Sequence, residues 1–203
     1  MRLPDPFTNP SLCPGFETAD LVDNDPMIRD EMPNGKVLEV KSSAQYWGIN
    51  ITMPDLLPKE FFFLDAFIGE YKRTGGYIDV LLPQYENVHV RGGAELLTIA
   101  SGQKGSTVVL GNLSALTGKP VAGDIFKLST HPKVYKITKV ATTATTMTLS
   151  LYPDLFITTT GVEKPVFNGI LFQTKLMNGD AWSQNITNDG VYTGVTLNLR
   201  EAL

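Results

Sequence analysis

Cysteine is almost absent: Cys13 stands alone in 203 residues. A single thiol cannot close an internal disulfide, so a stapled secreted scaffold is excluded and synthesis in a reducing cytoplasm fits. Long apolar runs are missing too. None approaches the roughly 20 residues of a membrane span, and Met1-Arg2-Leu3-Pro4-Asp5-Pro6 lacks the apolar core of a signal peptide, so no membrane insertion is expected. Basic charge is in deficit, with 17 Lys and Arg against 21 Asp and Glu, a net charge of −4 and scattered cations. That speaks against a nucleic-acid binder, which shows a clustered basic excess.

The residues that carry chemistry are equally sparse. The two histidines, His89 and His131, have no neighbours at metal-ligand spacing. No Gly-x-Ser-x-Gly elbow occurs. Gly102-Gln103-Lys104-Gly105-Ser106 lacks the phosphate-loop spacing and joins two strands instead of opening a helix, so it reads as a hairpin turn. Glu60, Asp65 and Glu70 read as solvated helix acids, with no context that sets one apart as a catalytic carboxyl. No catalytic, cofactor-binding or metal residue is nominated, no cofactor is expected, and no enzyme is expected.

What is present is β-structure around one helix. Residues 1 to 35 hold Pro4, Pro6, Pro10, Pro14, Pro26 and Pro33 with many acids, and read as an extended arm with one short strand near Gly15–Val22. Lys36–Ser43 and Gln45–Met53 alternate with period two; Trp47, Ile49, Ile51 and Met53 share one face of the latter. Pro58 opens a helix to about Arg73, with Phe61, Leu64, Phe67, Ile68 and Tyr71 on one stripe, Lys72 and Arg73 in the last turn and Thr74-Gly75-Gly76 as its stop. A strand follows over Tyr77–Leu82. Trp47, Phe61, Phe67, Tyr71 and Tyr77 are all expected in the core.

From Gln84 to Val162 no helical period appears. Short strands are expected over Asn87–Arg91, Leu96–Ala100, Thr107–Leu110, Asp124–Ser129, Val134–Val140 and Met147–Tyr152, the spacing of a small antiparallel barrel or sandwich. Further strands over Val166–Met177 and Val191–Leu199 need a partner sheet, which the region 36 to 82 can offer. The expectation is therefore a mainly β chain with one main helix. A discontinuous, sandwich-like domain with the helix takes 1–83 and 163–203, and a small β-module over 84–162 is inserted in it, with Pro83 and Pro165 near the junctions.

In this order Tyr46-Trp47-Gly48-Ile49-Asn50-Ile51, the Pro58 helix, Tyr77-Ile78-Asp79-Val80-Leu81-Leu82-Pro83, Ala122-Gly123-Asp124-Ile125-Phe126-Lys127-Leu128, Val134-Tyr135-Lys136-Ile137 and Leu149-Ser150-Leu151-Tyr152-Pro153 resemble the distal tail (Dit) proteins of siphophages. The T-five-like members are the nearest in pattern, with Leu21–Asp30 and Phe167–Phe172 adding to the likeness. The resemblance implies a virion protein at the distal end of a long non-contractile tail, made in the host cytoplasm. It implies a hexameric ring that joins the tail tube protein to the baseplate hub protein, with DNA only passing through the channel, and an inserted OB-like β-barrel. On that reading Asp20, Asp23, Asp25, Arg29, Asp30 and Glu31 of the arm, with Trp182, are candidates for subunit or partner contacts. Trp182 reads equally well as a cap on a sheet edge. A second function considered is a glycan-binding module in the insert, whose main aromatic candidates, Phe126 and Tyr135, also read as core; a third, a tail-associated wall-degrading enzyme, finds no support in the residues.

Overall fold

The computed structural model describes residues 1–41, 44–85 and 89–202. In chain order its strands are β1 (Thr18–Asn24), β2 (Met27–Glu31), β3 (Val37–Lys41), β4 (Tyr46–Thr52), β5 (Ile78–Leu81), β6 (Val90–Gly92), β7 (Thr98–Ile99), β8 (Gly105–Gly111), β9 (Thr117–Gly118), β10 (Ile125–Leu128), β11 (Val134–Thr142), β12 (Thr146–Leu155), β13 (Pro165–Val166), β14 (Leu171–Leu176) and β15 (Thr196–Glu201). Among the described residues there is one α-helix, α1, spanning Pro58–Thr74. The chain divides into two compact units, Met1–Asp79 with Thr174–Ala202, and Val80–Gln173.

The first unit is built on a five-stranded sheet of order β1-β4-β15-β14-β5. Its register pairs Ile49 with Leu199 and Ile51 with Leu197, so the buried side chains of β4 and β15 share one face. In α1, Phe61, Leu64, Ile68 and Tyr71 are buried, which is the expected stripe less Phe67, which is half-buried. Pro58 occupies the first turn, the Glu60 carboxylate accepts the Leu57 N–H at 2.8 Å, and Gly75 caps the helix at φ 65° with its N–H on Tyr71 O.

Two expectations fail here. The proline-rich start is not a bare arm. Leu3, Pro4 and Asp5 are buried, β1 is a seven-residue edge strand paired with β4, and β2 pairs with β3. Proline excludes strand only where it stands, and Pro26 and Pro33 stand between strands. Tyr77 is exposed rather than in the core, with Lys175 Nζ 4.5 Å above its ring.

The second unit carries a nearly closed, barrel-like sheet of order β13-β10-β11-β12-β8-β7 and a two-stranded ribbon of β6 and β9. β12 alternates strictly, burying Met147, Leu149, Leu151 and Leu155 with Phe126, Tyr135 and Ile137. Where one strand over Val166–Met177 is expected there are two, because β13 pairs with β10 in this sheet and β14 with β15 in the other. The expected strand over Asn87–Arg91 lies partly outside the described residues; β6 begins at Val90.

A segment without strand pairing bridges the barrel's open seam. Gly102 N–H donates to Thr159 O (2.7 Å), Thr159 N–H to Gln103 O (3.0 Å) and Thr159 Oγ1 to Ala100 O (2.7 Å), all just past β7. On the other side Ser129 N–H, just past β10, donates to Lys164 O (2.9 Å). Between these ties Glu163 is 2% exposed. Its carboxylate accepts Thr160 N–H (2.9 Å), Thr160 Oγ1 (2.8 Å) and Gly161 N–H (2.9 Å). Burial alone would raise its pKa; these hydrogen bonds outweigh that and hold it at about 2.

Candidate assembly surfaces

The β2–β3 hairpin turns at Pro33-Asn34-Gly35, where Gly35 takes φ 78° and its N–H donates to Met32 O. Cross-strand partners share a face, and faces alternate along each strand. The pairs Ile28–Val40 and Asp30–Leu38 therefore point to one side, and Arg29–Glu39 and Glu31–Val37 to the other. The second side is mixed: it carries exposed Met27 and Val37 beside its charges, with Arg29 Nε 2.8 Å from Glu39 Oε1. The first is apolar apart from Asp30, yet Ile28 is 63% and Val40 65% exposed. An isolated two-stranded ribbon is marginal in water, and an uncovered apolar face marks a surface made for contact.

A second apolar surface in the same unit surrounds Tyr192. The Tyr192 backbone exchanges two hydrogen bonds with Leu56 and bridges to Ile186. Its ring stacks on Phe61 (centroids 3.9 Å apart, planes within 1°) and meets the edge of Phe62 at 5.8 Å. Tyr192 itself is buried, but around it Leu57, Phe62 (55%) and Ile186 (60%) are exposed. Lys59, one turn before Phe62 on α1, is exposed as well.

The candidate contact residues divide between these surroundings and β1. Asp20 and Asp23 are exposed on β1, and Asp23 accepts a hydrogen bond from Gln45 Nε2 at 2.8 Å. Asp25 is half-buried between β1 and β2, while Arg29, Asp30 and Glu31 are exposed on β2. Trp182 is set apart from them. It is half-buried, parallel to Phe61 at 6.4 Å, and its Nε1–H donates to Asp65 Oδ1 at 2.7 Å, so it fastens its loop to α1. Reading by sequence missed Ile28, Val40, Phe62 and Ile186, since an apolar residue in a strand or helix is taken as core until its face is known.

In the second unit Phe126 and Tyr135 are fully buried, and the Tyr135 hydroxyl accepts the Phe156 N–H. The exposed aromatic is Phe156, 5.3 Å from the His131 ring. Burial, with Lys133 and Lys127 nearby, keeps the His131 imidazole more acidic than usual. An open cleft of about 400 Å³ lies elsewhere on this unit, with Lys164, Phe167 and Asn168 in its wall.

Two exposed apolar surfaces on one unit suit a chain whose neighbours are other proteins, and the comparisons with known proteins agree. Three family models match in succession: distal tail protein pb9, A domain, N-terminal, over residues 3–85; its B domain over 86–170; and its A domain, C-terminal, over 172–203. The distal tail protein pb9 of Escherichia phage T5 is 64% identical over 204 residues, covering all of both chains. The chain belongs to the pb9 family of distal tail proteins. As a distal tail protein it is a component of the virion tail and assembles with other tail components. The family models give the A domain in two pieces with the B domain between them.

Proposed function

We propose that this distal tail protein is a non-enzymatic ring component: six copies form a ring that joins the tail tube to the tip hub, and DNA passes through its centre. The observation that carries this reading is the pair of uncovered apolar surfaces on the first unit of a chain that matches a distal tail protein over its full length. Contacts of a head-to-tail kind close into a ring when the rotation per subunit allows it. In this reading the first unit forms the ring and the second is an inserted barrel. The exposed Asp20, Asp23, Asp30 and Glu31 sit at contacts or face the channel, where acids would repel DNA and let it slide. Electron microscopy of tails labelled on the second unit tests the placement. Label is expected at the distal end, around a six-fold density; label along the shaft, or a density of other symmetry, overturns it.

A second reading is a glycan contact on the second unit, favoured by the exposed Phe156 ring beside His131. A glycan array probed with the whole protein should show saturable binding that is lost in Phe156→Ala. Binding that survives the substitution rejects Phe156 as its seat.

A further inference from the structure

We infer that Asn34, in the turn of the β2–β3 hairpin, is a site of spontaneous deamidation, so that this turn ages in the finished virion. Three Asn-Gly steps occur in the chain, at Asn34, Asn168 and Asn178. At each of them the following residue has no Cβ to shield its backbone nitrogen from the asparagine side chain. The fold then separates the three. Asn178 is held at both ends of its amide: Nδ2 donates to Thr196 O and Oδ1 accepts Asn198 N–H, each at 3.0 Å. Asn168 Nδ2 donates to Val90 O at 2.5 Å, and its Oδ1 is shut away from water. Asn34 is exposed, and its side chain makes a single hydrogen bond, Oδ1 accepting Lys36 N–H at 3.0 Å. That bond polarises the carbonyl and leaves Nδ2, the departing group, open to water. A Cβ placed on Gly35 would meet nothing within 4 Å, so nothing crowds the attacking nitrogen. The bond that opposes the step is Gly35 N–H to Met32 O at 2.8 Å. It belongs to a two-stranded ribbon in which residues 27–31 and 37–40 are all exposed, and such a ribbon opens readily.

The reaction needs water and nothing else. The Gly35 nitrogen attacks Cγ of Asn34, a succinimide ring closes, and the Gly35 proton leaves with the side-chain nitrogen as ammonia. Water then opens the ring at one of its two carbonyls. One opening leaves an ordinary aspartyl residue at position 34. The other leaves isoaspartyl, in which the main chain runs through the former side chain and gains one carbon. That carbon falls inside the turn closed by Met32 N–H on Lys36 O (2.9 Å), which sets the register of β2 on β3. A virion does not replace its subunits, so the altered turns accumulate.

The test incubates the purified full-length protein at pH 8, folded and, in parallel, unfolded in guanidinium chloride. Trypsin cuts after Arg29 and Lys36 and releases Asp30–Lys36, whose sole side-chain amide is Asn34. Digestion in heavy-oxygen water marks any amide lost during the digest itself. In the folded protein Asn34 should lose its amide about ten-fold faster than Asn168 and Asn178, whose clamping hydrogen bonds must open first. In the unfolded chain the three should react at comparable rates. Equal rates in the folded protein, or an Asn34 amide that persists there while the unfolded chain loses it, overturns the inference. Loss at position 34 without isoaspartyl overturns the succinimide step. Stored tails should carry isoaspartyl at the same position; its absence from tails that outlast the isolated protein's reaction overturns the ageing of the virion. Hydrogen-exchange protection across β2–β3 should fall in the aged protein, hold in β4, and hold throughout in Asn34→Gln. Unchanged protection in the aged wild type overturns the consequence for the hairpin.

Discussion

Replacing Glu163 by glutamine should loosen the barrel at its seam. The carboxylate collects three hydrogen bonds from Thr160 and Gly161, and the residues it fixes tie Ala100, Gly102 and Gln103 to Thr159 and Ser129 to Lys164. Its pKa falls from an ordinary 4.5 to about 2. At 1.36 kcal/mol per unit, that shift sets a ceiling of about 3 kcal/mol on its charge-dependent contribution. Thr160, Gly161 and Val162 are exposed, so water screens part of it, and about 1–2 kcal/mol is the expected loss. The sign follows from a folded pKa below the unfolded one: the contribution is complete above about pH 4.5 and disappears as pH falls toward 2. Glutamine has no such limb, so wild type and Glu163→Gln should differ at pH 7 and converge near pH 2. Tryptophan fluorescence will not register this, because Trp47 and Trp182 both lie in the first unit. Amide hydrogen exchange will. Protection at Gly102 and Thr159, corrected for intrinsic rates, should drop about ten-fold at pH 7. Unchanged protection, or parallel pH limbs for the two proteins between 2 and 4.5, would refute the seam argument.

Trp182→Phe keeps a ring against Phe61 but removes the donor to Asp65, so urea stability of the first unit should fall by about 1 kcal/mol, read by Trp47 fluorescence. In an Asp65→Asn background the same change should cost less. Phe61→Ala removes a fully buried ring that stacks on Tyr192 and should cost about 3–5 kcal/mol in the same assay. Burial, aided by Asp5 and Glu60, raises the Cys13 thiol to about 11. Its alkylation by iodoacetamide at pH 8 should run about 100-fold slower than that of an ordinary thiol and still be rising at pH 10. Gly118→Ala should disrupt the β6–β9 ribbon, because φ is 83° and a new Cβ would lie 2.1 Å from His89 O; calorimetry should show a lower melting temperature.

The helix and β4 were legible because their side chains obey a single period and one face of each is buried. Phe61, Leu64, Ile68 and Tyr71 carry the first pattern, and Trp47, Ile49 and Ile51 the second. β2 was hidden by its neighbours: five residues between two prolines, with three charges, look like loop until Val37–Lys41 is laid beside them. β12 runs on through Pro153 to Leu155, past its expected end at Tyr152, and keeps its alternation across the proline. The candidate surfaces were half legible. The charged residues of β2 stood out by type, while Ile28, Val40 and Phe62 were disguised by the same alternation that marks a core. Glu163 could not be found at all, because its partners become meaningful only when Thr159 is seen against Gln103, far away in sequence.

β5 and β14, the strands through which the chain leaves the first unit and returns to it, are neighbours in one sheet. The excursion thus starts and finishes at a fixed, short gap whatever lies between. Geometrically it is a loop, however many residues it holds, and closing a longer loop costs only logarithmically more. A tail protein of this design has a socket: cargo can be exchanged there without renegotiating the sheet that receives it. Splicing a short glycine-serine bridge from Gln84 to Ile170 should leave the first unit folded, with Trp47 and Trp182 still reporting a cooperative transition.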